Sequence, residues 1–141
     1  MTDPDPAAFE NDLIADLRAN GGVVTAGPLV GHPLLIMTSR GARTGQPRRA
    51  ILTFTRDGVD YVVAASKGGA PTDPAWLRNL QADPVVTVEA EARTFRARAS
   101  ITDEADRDRL WGHHVEALPQ FAEYPEKSGR VIPMVRLTPA A

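Results

Sequence analysis

The chain contains no cysteine. This absence excludes a disulfide framework, a cysteine-ligated zinc site, an iron–sulfur cluster and a cysteine nucleophile. No apolar run approaches the roughly 18–20 residues that a membrane span requires, and no basic segment followed by an apolar core indicates a secretory signal. We therefore expect a protein of the reducing cytoplasm without a membrane span, and we leave peripheral contact with a membrane surface open.

The chain also lacks a strong excess of either charge. Its 16 Lys and Arg residues and 18 Asp and Glu residues give a formal net charge of −2. This balance argues against a protein that binds nucleic acid over its whole surface, so any anion site must come from a local basic cluster. With 141 residues, 43% hydrophobic and 24% charged, the composition is that of an ordinary globular domain with its own core.

Hydrophobic periodicity predicts three helices and six strands. Apolar residues recur at helical spacing in three segments, whereas shorter segments alternate or are continuously apolar and end at glycine or proline. The predicted helices cover residues 7–20, 74–83 and 103–118, and the predicted strands cover residues 34–39, 49–55, 61–65, 85–88, 94–101 and 131–137.

Several local details refine this pattern. We expect Asp73 to cap the second helix, with Pro74 at its first position, and Thr102 to cap the third helix. Pro133 predicts that the last strand lies at a sheet edge or at a bulge. Alternation in the strand 94–101 predicts one buried face, formed by Phe95, Ala97, Ala99 and Ile101.

This order of elements indicates the α+β class, mainly β. Antiparallel hairpins with few helices suggest a small closed or half-open barrel whose openings are covered by the helices. We expect residues 1–33 to form an N-terminal helix and a crossing segment, and residues 34–141 to form the barrel, as a single domain overall.

The first candidate site is a basic loop after the first strand. Four arginines fall within ten residues, interleaved with two glycines and a threonine: Arg40, Arg43, Arg48, Arg49, Gly41, Gly45 and Thr44. Guanidinium groups bind phosphates and carboxylates with two parallel hydrogen bonds, and glycines let backbone N–H groups approach an anion. A solvated basic turn is the alternative. RNA binding is disfavoured because no aromatic side chain lies among these arginines.

The second candidate site is a glycine loop at residues 64–71, with the sequence AASKGGAP. Its small residues would let a flat ring lie against the end of the strand. It is not a phosphate-binding Walker loop, because the order of glycine, lysine and hydroxyl residue is wrong. The alternative is a simple turn from strand to helix. Trp76 and Asn79 share a face of the following helix, where Trp76 taken alone is more typical of a core residue.

Other sites are disfavoured by spacing. His113 and Glu116 lie three residues apart, which is a weak metal pattern, and adjacent His113 and His114 point in different directions on a helix. Ser66 has neither a nucleophile elbow nor the surroundings of a hydrolase serine. We therefore expect no metal site and no hydrolase.

The two loops and their surroundings resemble the deazaflavin-dependent nitroreductase family, which includes quinone reductases. Residues 38–48, TSRGARTGQPR, resemble the family segment TTGRKSGxPR. The loop 64–71, with the PAW and NL that follow it, resembles ASKGGAP…HPAWYHNL. Three further segments match in order and distance: residues 79–88 (NLxANPxVxV in the family), 94–99 and 132–135. The likeness runs from about Leu34 to Leu137.

The resemblance implies a six-stranded antiparallel split β-barrel with flanking helices. It also implies an oxidoreductase that binds coenzyme F-420, a 5-deazaflavin that carries a ribityl phosphate, a lactate and an oligoglutamate tail. The reduced cofactor would donate hydride to an electron-poor small molecule such as a quinone, a nitroaromatic or an activated enone. The basic residue of the family's GRKSG turn contacts the phosphate and the tail, and Arg43 stands at its position.

The resemblance further implies the residues of the site. Those expected to bind the cofactor are Ala42, Arg43, Thr44, Arg48, Arg49, Ala50, Ile51, Leu52, Thr53, Ala64, Ala65, Ser66, Lys67, Ala75, Trp76, Leu77, Arg78 and Asn79. Ser66 would hydrogen-bond the acceptor oxygen, and Tyr124 or solvent would supply the proton. Leu118, Phe121 and Tyr124 would contact the acceptor.

Two departures from the family pattern refine these expectations. Ala42 replaces the usual arginine and Arg43 the usual lysine, so one of two cations is kept. Leu118 and Phe121 stand where nitroreducing members carry tyrosines, and Tyr124 alone keeps its hydroxyl. We therefore expect apolar quinones to be reduced faster than nitroimidazoles.

Two other functions stay open at this stage. The barrel could bind or carry the cofactor, or a lipid-like ligand, without turnover. It could also be a related split barrel that binds flavin mononucleotide. The expected partner is a small-molecule hydride acceptor and not a nucleic acid, and pairing into a homodimer is left open.

Overall fold

The computed structural model describes residues 6–25, 33–65, 74–119 and 132–140, and for residues 6–10 the backbone alone. These residues form three helices and seven strands. In chain order the elements are α1 (Pro6–Ala19), β1 (Leu34–Arg40), β2 (Pro47–Thr53), β3 (Thr55–Asp57), β4 (Asp60–Ala64), α2 (Ala75–Ala82), β5 (Val85–Ala90), β6 (Arg93–Ile101), α3 (Glu104–Ala117) and β7 (Met134–Pro139).

All seven strands belong to one antiparallel sheet in the order β2-β1-β5-β6-β7-β4-β3. The strands at its two ends, β2 and β3, are consecutive in the chain, with Phe54 alone between them. The sheet must therefore curl until its ends are neighbours, which makes it a half-barrel. Phe54 donates its N–H to the carbonyl of Pro33 at 3.0 Å, which continues the register of β1 and β2 by one residue, and Pro33 has no N–H with which to return the bond.

The concave face of the sheet holds the main core, because every second residue of a strand points to that side. Tyr61 is fully buried there, and its ring lies 5.2 Å from that of Phe54 and 5.3 Å from that of Phe95. The other buried residues of this core are Leu35, Met37, Val63, Ala65, Leu77, Leu80, Val86, Val88, Ala90, Ala97, Ala99, Val135 and Leu137.

The first helix covers part of the convex face. Its apolar stripe packs against Leu34 and Ile36 of β1, so both sides of that strand are buried. At its end Arg18 binds Glu89 of β5 with two hydrogen bonds of 2.8 and 2.9 Å. The stripe consists of Leu13, Ile14 and Leu17.

The third helix covers a second part of the convex face. Asp103 caps it by accepting a hydrogen bond of 2.8 Å from the N–H of Asp106. Beneath it lies a separate apolar cluster formed by Val62, Ala64, Leu110, Leu118, Ile132 and Met134. In the described parts of the chain, no helix is both long and apolar enough to cross a bilayer.

His114 is a fully buried residue of α3, and its Nδ1 lies 3.0 Å from the hydroxyl oxygen of Thr55. Burial, together with the nearby His113, lowers its pKa to about 4. The unfolded chain takes up the proton near pH 6.5, so protons favour the unfolded state. We expect the free energy of unfolding to fall by about 3 kcal/mol between pH 6.5 and pH 4.

Urea denaturation at stepped pH measures this loss. His114→Gln should flatten the curve in that window, whereas His113→Gln, at the exposed neighbour, should change it only slightly, because burial is the larger cause of the lowered pKa. Parallel curves for the wild type and His114→Gln would show that another group causes the pH dependence.

The structure corrects the predicted number of strands from six to seven. The single strand predicted for residues 49–55 is two strands, because the pairing with β1 ends at Phe54, opposite Pro33, and the chain pairs with β4 from Thr55 onward. The last strand begins at Met134 and lies between β6 and β4, not at an edge. Pro133 stands one residue before the start of this strand, where its carbonyl still accepts the N–H of Ala65 at 2.9 Å but it has no N–H to return.

Three smaller expectations are also wrong. Thr102 does not cap α3, because its N–H and its hydroxyl both donate to the carbonyl of Met134, at 3.1 and 3.0 Å. Pro74 occupies the N-cap position of α2 and not its first turn, and Asp73 lies outside the described residues. Ile101 is 44% exposed, because it ends β6 beyond the core.

Candidate active site

An open groove of about 790 Å³ lies between the loop after β1, the start of β2 and helix α2. It brings together two chain segments that are about 30 residues apart in the sequence. The lining residues that had been expected to bind a cofactor are Ala42, Arg43, Thr44, Arg48, Arg49, Ala50, Ala75, Trp76, Leu77, Arg78 and Asn79. Gly41, Pro74 and Gln81 also line it.

The loop between β1 and β2 is a tight turn closed by its own backbone. The N–H of Gly41 donates to the carbonyl of Gln46 at 2.8 Å, and the N–H of Gly45 donates to the carbonyl of Gly41 at 2.9 Å. Gly45 has a φ of +71°, a conformation in which a side chain would be strained. The hydroxyl oxygen of Thr44 accepts the N–H of Gln46 at 3.2 Å.

Two guanidinium groups lie against the bare backbone of this loop. A Cβ atom at Gly45 would be 3.4 Å from Nε and Nη2 of Arg40, and one at Gly41 would be 3.5 Å from Nε of Arg48. These distances are ordinary contacts, whereas a Cβ at Gly41 would come within 3.1 Å of Oγ1 of Thr44 and 3.2 Å of the carbonyl oxygen of Gln46, so the missing side chain there serves the closure of the turn.

The groove is strongly basic. Arg43, Arg48, Arg49 and Arg78 line it, and none of its lining residues is acidic. None of the four forms an ion pair with any residue that the structure describes. Like charges that are clustered without counter-ions repel one another, and an anionic ligand would relieve that repulsion.

Helix α2 forms the other wall. Trp76 is half-buried and packs against the main core, so it is both a core residue and a wall of the groove. Asn79 is 8% exposed, and its carboxamide oxygen accepts the N–H of Ala42 at 3.0 Å. This hydrogen bond ties the helix directly to the basic loop.

Several expected site residues lie elsewhere. Ile51, Leu52 and Thr53 are half-buried on β2 and do not line the groove, and neither does Ala64, which packs in the cluster under α3. Ala65 is fully buried in the main core, with its N–H bonded to the carbonyl of Pro133 at 2.9 Å. Ala65 is therefore not an exposed surface against which a ring could lie.

The residues expected to contact the acceptor either lie away from the groove or fall outside the described residues. Leu118 is 6% exposed in the cluster under α3. Ser66, Lys67, Phe121 and Tyr124 lie outside the described residues. Where the chain is described, no group of three His, Asp or Glu residues could hold a metal ion.

Sequence reasoning missed Ser39, which is 3% exposed beneath the groove. Its hydroxyl lies 3.4 Å from Nδ2 of Asn79 and 3.5 Å from the carbonyl of Arg48. The one available signal was that Ser39 is the second of two small polar residues that follow four apolar residues in a predicted buried strand.

The chain is similar to known proteins of one family. A family model described as "F420H(2)-dependent quinone reductase" matches residues 13–139. The "F420H(2)-dependent quinone reductase" of Mycobacterium tuberculosis strain H37Rv is 38% identical in an alignment of length 118 that covers 77% of this chain and 79% of that relative.

Two solved structures have the same fold. One is titled "Structure of F420-H2 Dependent Reductase (FDR-A)", with 33% identity and a TM-score of 0.69 over 74% of this chain and 93% of that one. The other, titled "domain-swapped dimer", has 29% identity and a TM-score of 0.70 over 93% and 96%. The predicted split β-barrel is confirmed, apart from the number of strands. The chain belongs to the family of F420H(2)-dependent quinone reductases.

Proposed function

We propose that the arginine-lined groove holds the anionic part of coenzyme F-420. Family membership makes the protein an oxidoreductase that transfers hydride from the reduced cofactor to a quinone-type acceptor. The observation that carries the proposal is the charge of the groove: four arginines line it without an acidic residue among them.

The donors of the groove fit the cofactor's chemistry. A phosphate followed by several carboxylates needs planar, permanently charged donors, and a guanidinium group meets that need better than an ammonium group. The volume of about 790 Å³ is in the range of pockets that enclose large ligands. Gly45, with its φ of +71°, and Gly41, where a Cβ would crowd Thr44 and Gln46, allow the tight turn from which Arg43 lines the groove.

Coenzyme F-420, when bound, supplies a hydride donor with little one-electron chemistry. The protein supplies charge, position and a dry surface. Arg43 and Arg48 bind the phosphate and the tail, and the indole of Trp76 forms an apolar wall next to them. A wall of this kind excludes water from the reacting centre and holds both reactants close together.

The acceptor side of the proposal rests on residues outside the described part of the chain. Ser66 donates a hydrogen bond to the acceptor oxygen as charge develops there. Phe121 and Tyr124 face the acceptor, and Tyr124 or solvent delivers the proton. We leave Leu118 out, because its side chain is buried under α3.

Fluorescence titration of the purified protein with coenzyme F-420 and with flavin mononucleotide tests the cofactor, and menadione reduction tests turnover. We expect preferential binding of F-420, reduction of menadione by the reduced cofactor, and slower turnover with unchanged cofactor affinity in Tyr124→Phe. Preference for flavin mononucleotide would favour a flavin-binding barrel. Binding of F-420 without turnover would favour a carrier protein.

We also propose that helix α1 and the barrel act as one domain, that the protein is cytoplasmic and that it pairs into a homodimer. The contact of α1 with β1 and the Arg18–Glu89 ion pair support the first point. A similar solved structure titled "domain-swapped dimer" supports pairing. Light scattering at several concentrations distinguishes a dimer from a monomer.

A further inference from the structure

We infer that Asn79 and Ser39 are positioning residues for cofactor binding, which they serve by setting the shape of the basic loop and not by touching the cofactor. The inference rests on the proposed function, because it takes the basic loop to be the anion site. It starts from a chain of polar contacts that joins α2, β1 and β2 beneath the groove.

The orientation of the Asn79 carboxamide follows from its partner. The backbone N–H of Ala42 can only donate, so the oxygen of the amide must face it, and the contact is 3.0 Å. The amide nitrogen then points to the hydroxyl of Ser39 at 3.4 Å. Asn79 thus uses both ends of its amide inside the protein.

Ser39 extends the chain of contacts to the second strand of the site. Its hydroxyl oxygen accepts from Asn79, and its hydrogen is directed to the carbonyl of Arg48 at 3.5 Å. Asn79 therefore holds the residue before Arg43, while Ser39 holds the backbone of Arg48. Together they set the distance between the two arginines that bind the anion.

An amide is the side chain that this position requires. A carboxylate at residue 79 would accept from Ala42 but could not donate to Ser39, and its charge would attract the arginines away from an anion. An apolar side chain of similar size would release the loop. Since a neutral hydrogen bond contributes roughly 0.5–1.5 kcal/mol, losing one corresponds to about a threefold to tenfold loss of affinity if the loop must be ordered before it binds.

The test uses Asn79→Leu, Asn79→Asp and the conservative Ser39→Ala, with two control variants. Leu80→Val removes a methylene group from a buried neighbour in α2 and should lower the melting temperature without changing the loop. Ser100→Ala removes an exposed hydroxyl from β6. Each variant is titrated with coenzyme F-420, and its backbone amide exchange is followed by NMR without cofactor.

We expect the dissociation constant for F-420 to rise about tenfold in Asn79→Leu, at least as much in Asn79→Asp and about threefold in Ser39→Ala. Both controls should stay within about twofold of the wild type. Without cofactor, the Ala42 amide should exchange faster in Asn79→Leu and as in the wild type in Leu80→Val. Arg43→Ala should cost less affinity in the Asn79→Leu background than in the wild type, because the two residues act through one loop.

Equal affinity losses in Leu80→Val and Asn79→Leu would overturn the inference, because the cause would then be the stability of the helix. Strictly additive losses for Arg43 and Asn79, with unchanged exchange at Ala42, would also overturn it and would indicate a direct contact of Asn79 with the cofactor. A wild-type protein that does not bind F-420 would overturn the proposed function as well.

Discussion

Arg43→Ala should weaken the binding of coenzyme F-420 about tenfold or more. A charge-assisted hydrogen bond contributes roughly 1.5–3 kcal/mol to the free energy of binding. Arg43 lines the groove, and no acidic lining residue competes with the cofactor for its guanidinium group. The binding should also become less dependent on salt in the variant, since one cation fewer faces the anion. Fluorescence titration at several ionic strengths measures both effects.

The matched control is Arg96→Ala. Arg96 is an exposed arginine on the convex face of β6, and it does not line the groove. Its loss changes the net charge of the protein by the same amount but should leave the affinity within about twofold of the wild type, because exposed charges are screened by salt. Wild-type affinity of Arg43→Ala at low salt would mean that the basic loop is only a solvated turn.

Arg136→Met should lower the free energy of unfolding by about 2–4 kcal/mol. The side chain of Arg136 is 18% exposed and contacts Asp57, Asp60 and Asp106 at 2.6, 3.0 and 2.9 Å. It joins β7 to the hairpin of β3 and β4 and to the start of α3. Without it, three neighbouring carboxylates repel one another in a partly buried place.

Arg109→Met is the control for this variant. Arg109 contacts Asp57 and Asp106 as well, but its side chain is 55% exposed, so solvent screens its ion pairs and the loss of stability should be much smaller than in Arg136→Met. Equal losses in the two variants would show that burial does not govern the strength of this network.

The difference in the free energy of unfolding between the wild type and Arg136→Met should change with pH in a defined direction. Hydrogen bonds from Arg109 and Arg136 lower the pKa of Asp57 to about 2. Its contribution to stability is therefore present above pH 3.8 and is lost as the pH falls toward 2. The difference between the wild type and Arg136→Met should narrow over that range in acid denaturation.

The elements that could be predicted best were those whose apolar pattern repeats. The first helix was predicted for residues 7–20 and spans Pro6–Ala19, and the strand predicted for residues 94–101 begins one residue earlier at Arg93. The break at Phe54 could not be predicted, because a run of β-formers does not show where its partner strand changes. The partner is β1 up to Thr53 and β4 from Thr55 onward.

The chemical character of the site could be predicted from the sequence, but the contact that joins its two segments could not. The arginine cluster is visible in the sequence, and the resemblance placed α2 beside it. The contact of Asn79 with Ala42 joins residues 37 apart, which no periodic pattern encodes. The interior position of Ala65 was missed for a related reason, because the small residues at the end of β4 suited a ligand surface and a tightly packed core equally well.

The order of strands in the sheet also determines when the barrel can close during synthesis. The first half of the chain supplies both ends of the sheet as two separate hairpins, β1 with β2 and β3 with β4. The inner edges of those hairpins, on β1 and β4, find their partners in β5 and β7, which the ribosome makes later. A nascent chain that ends before Val85 therefore exposes two unpaired strand edges rich in apolar residues, and during that interval the protein depends on rapid completion or on chaperones to avoid aggregation.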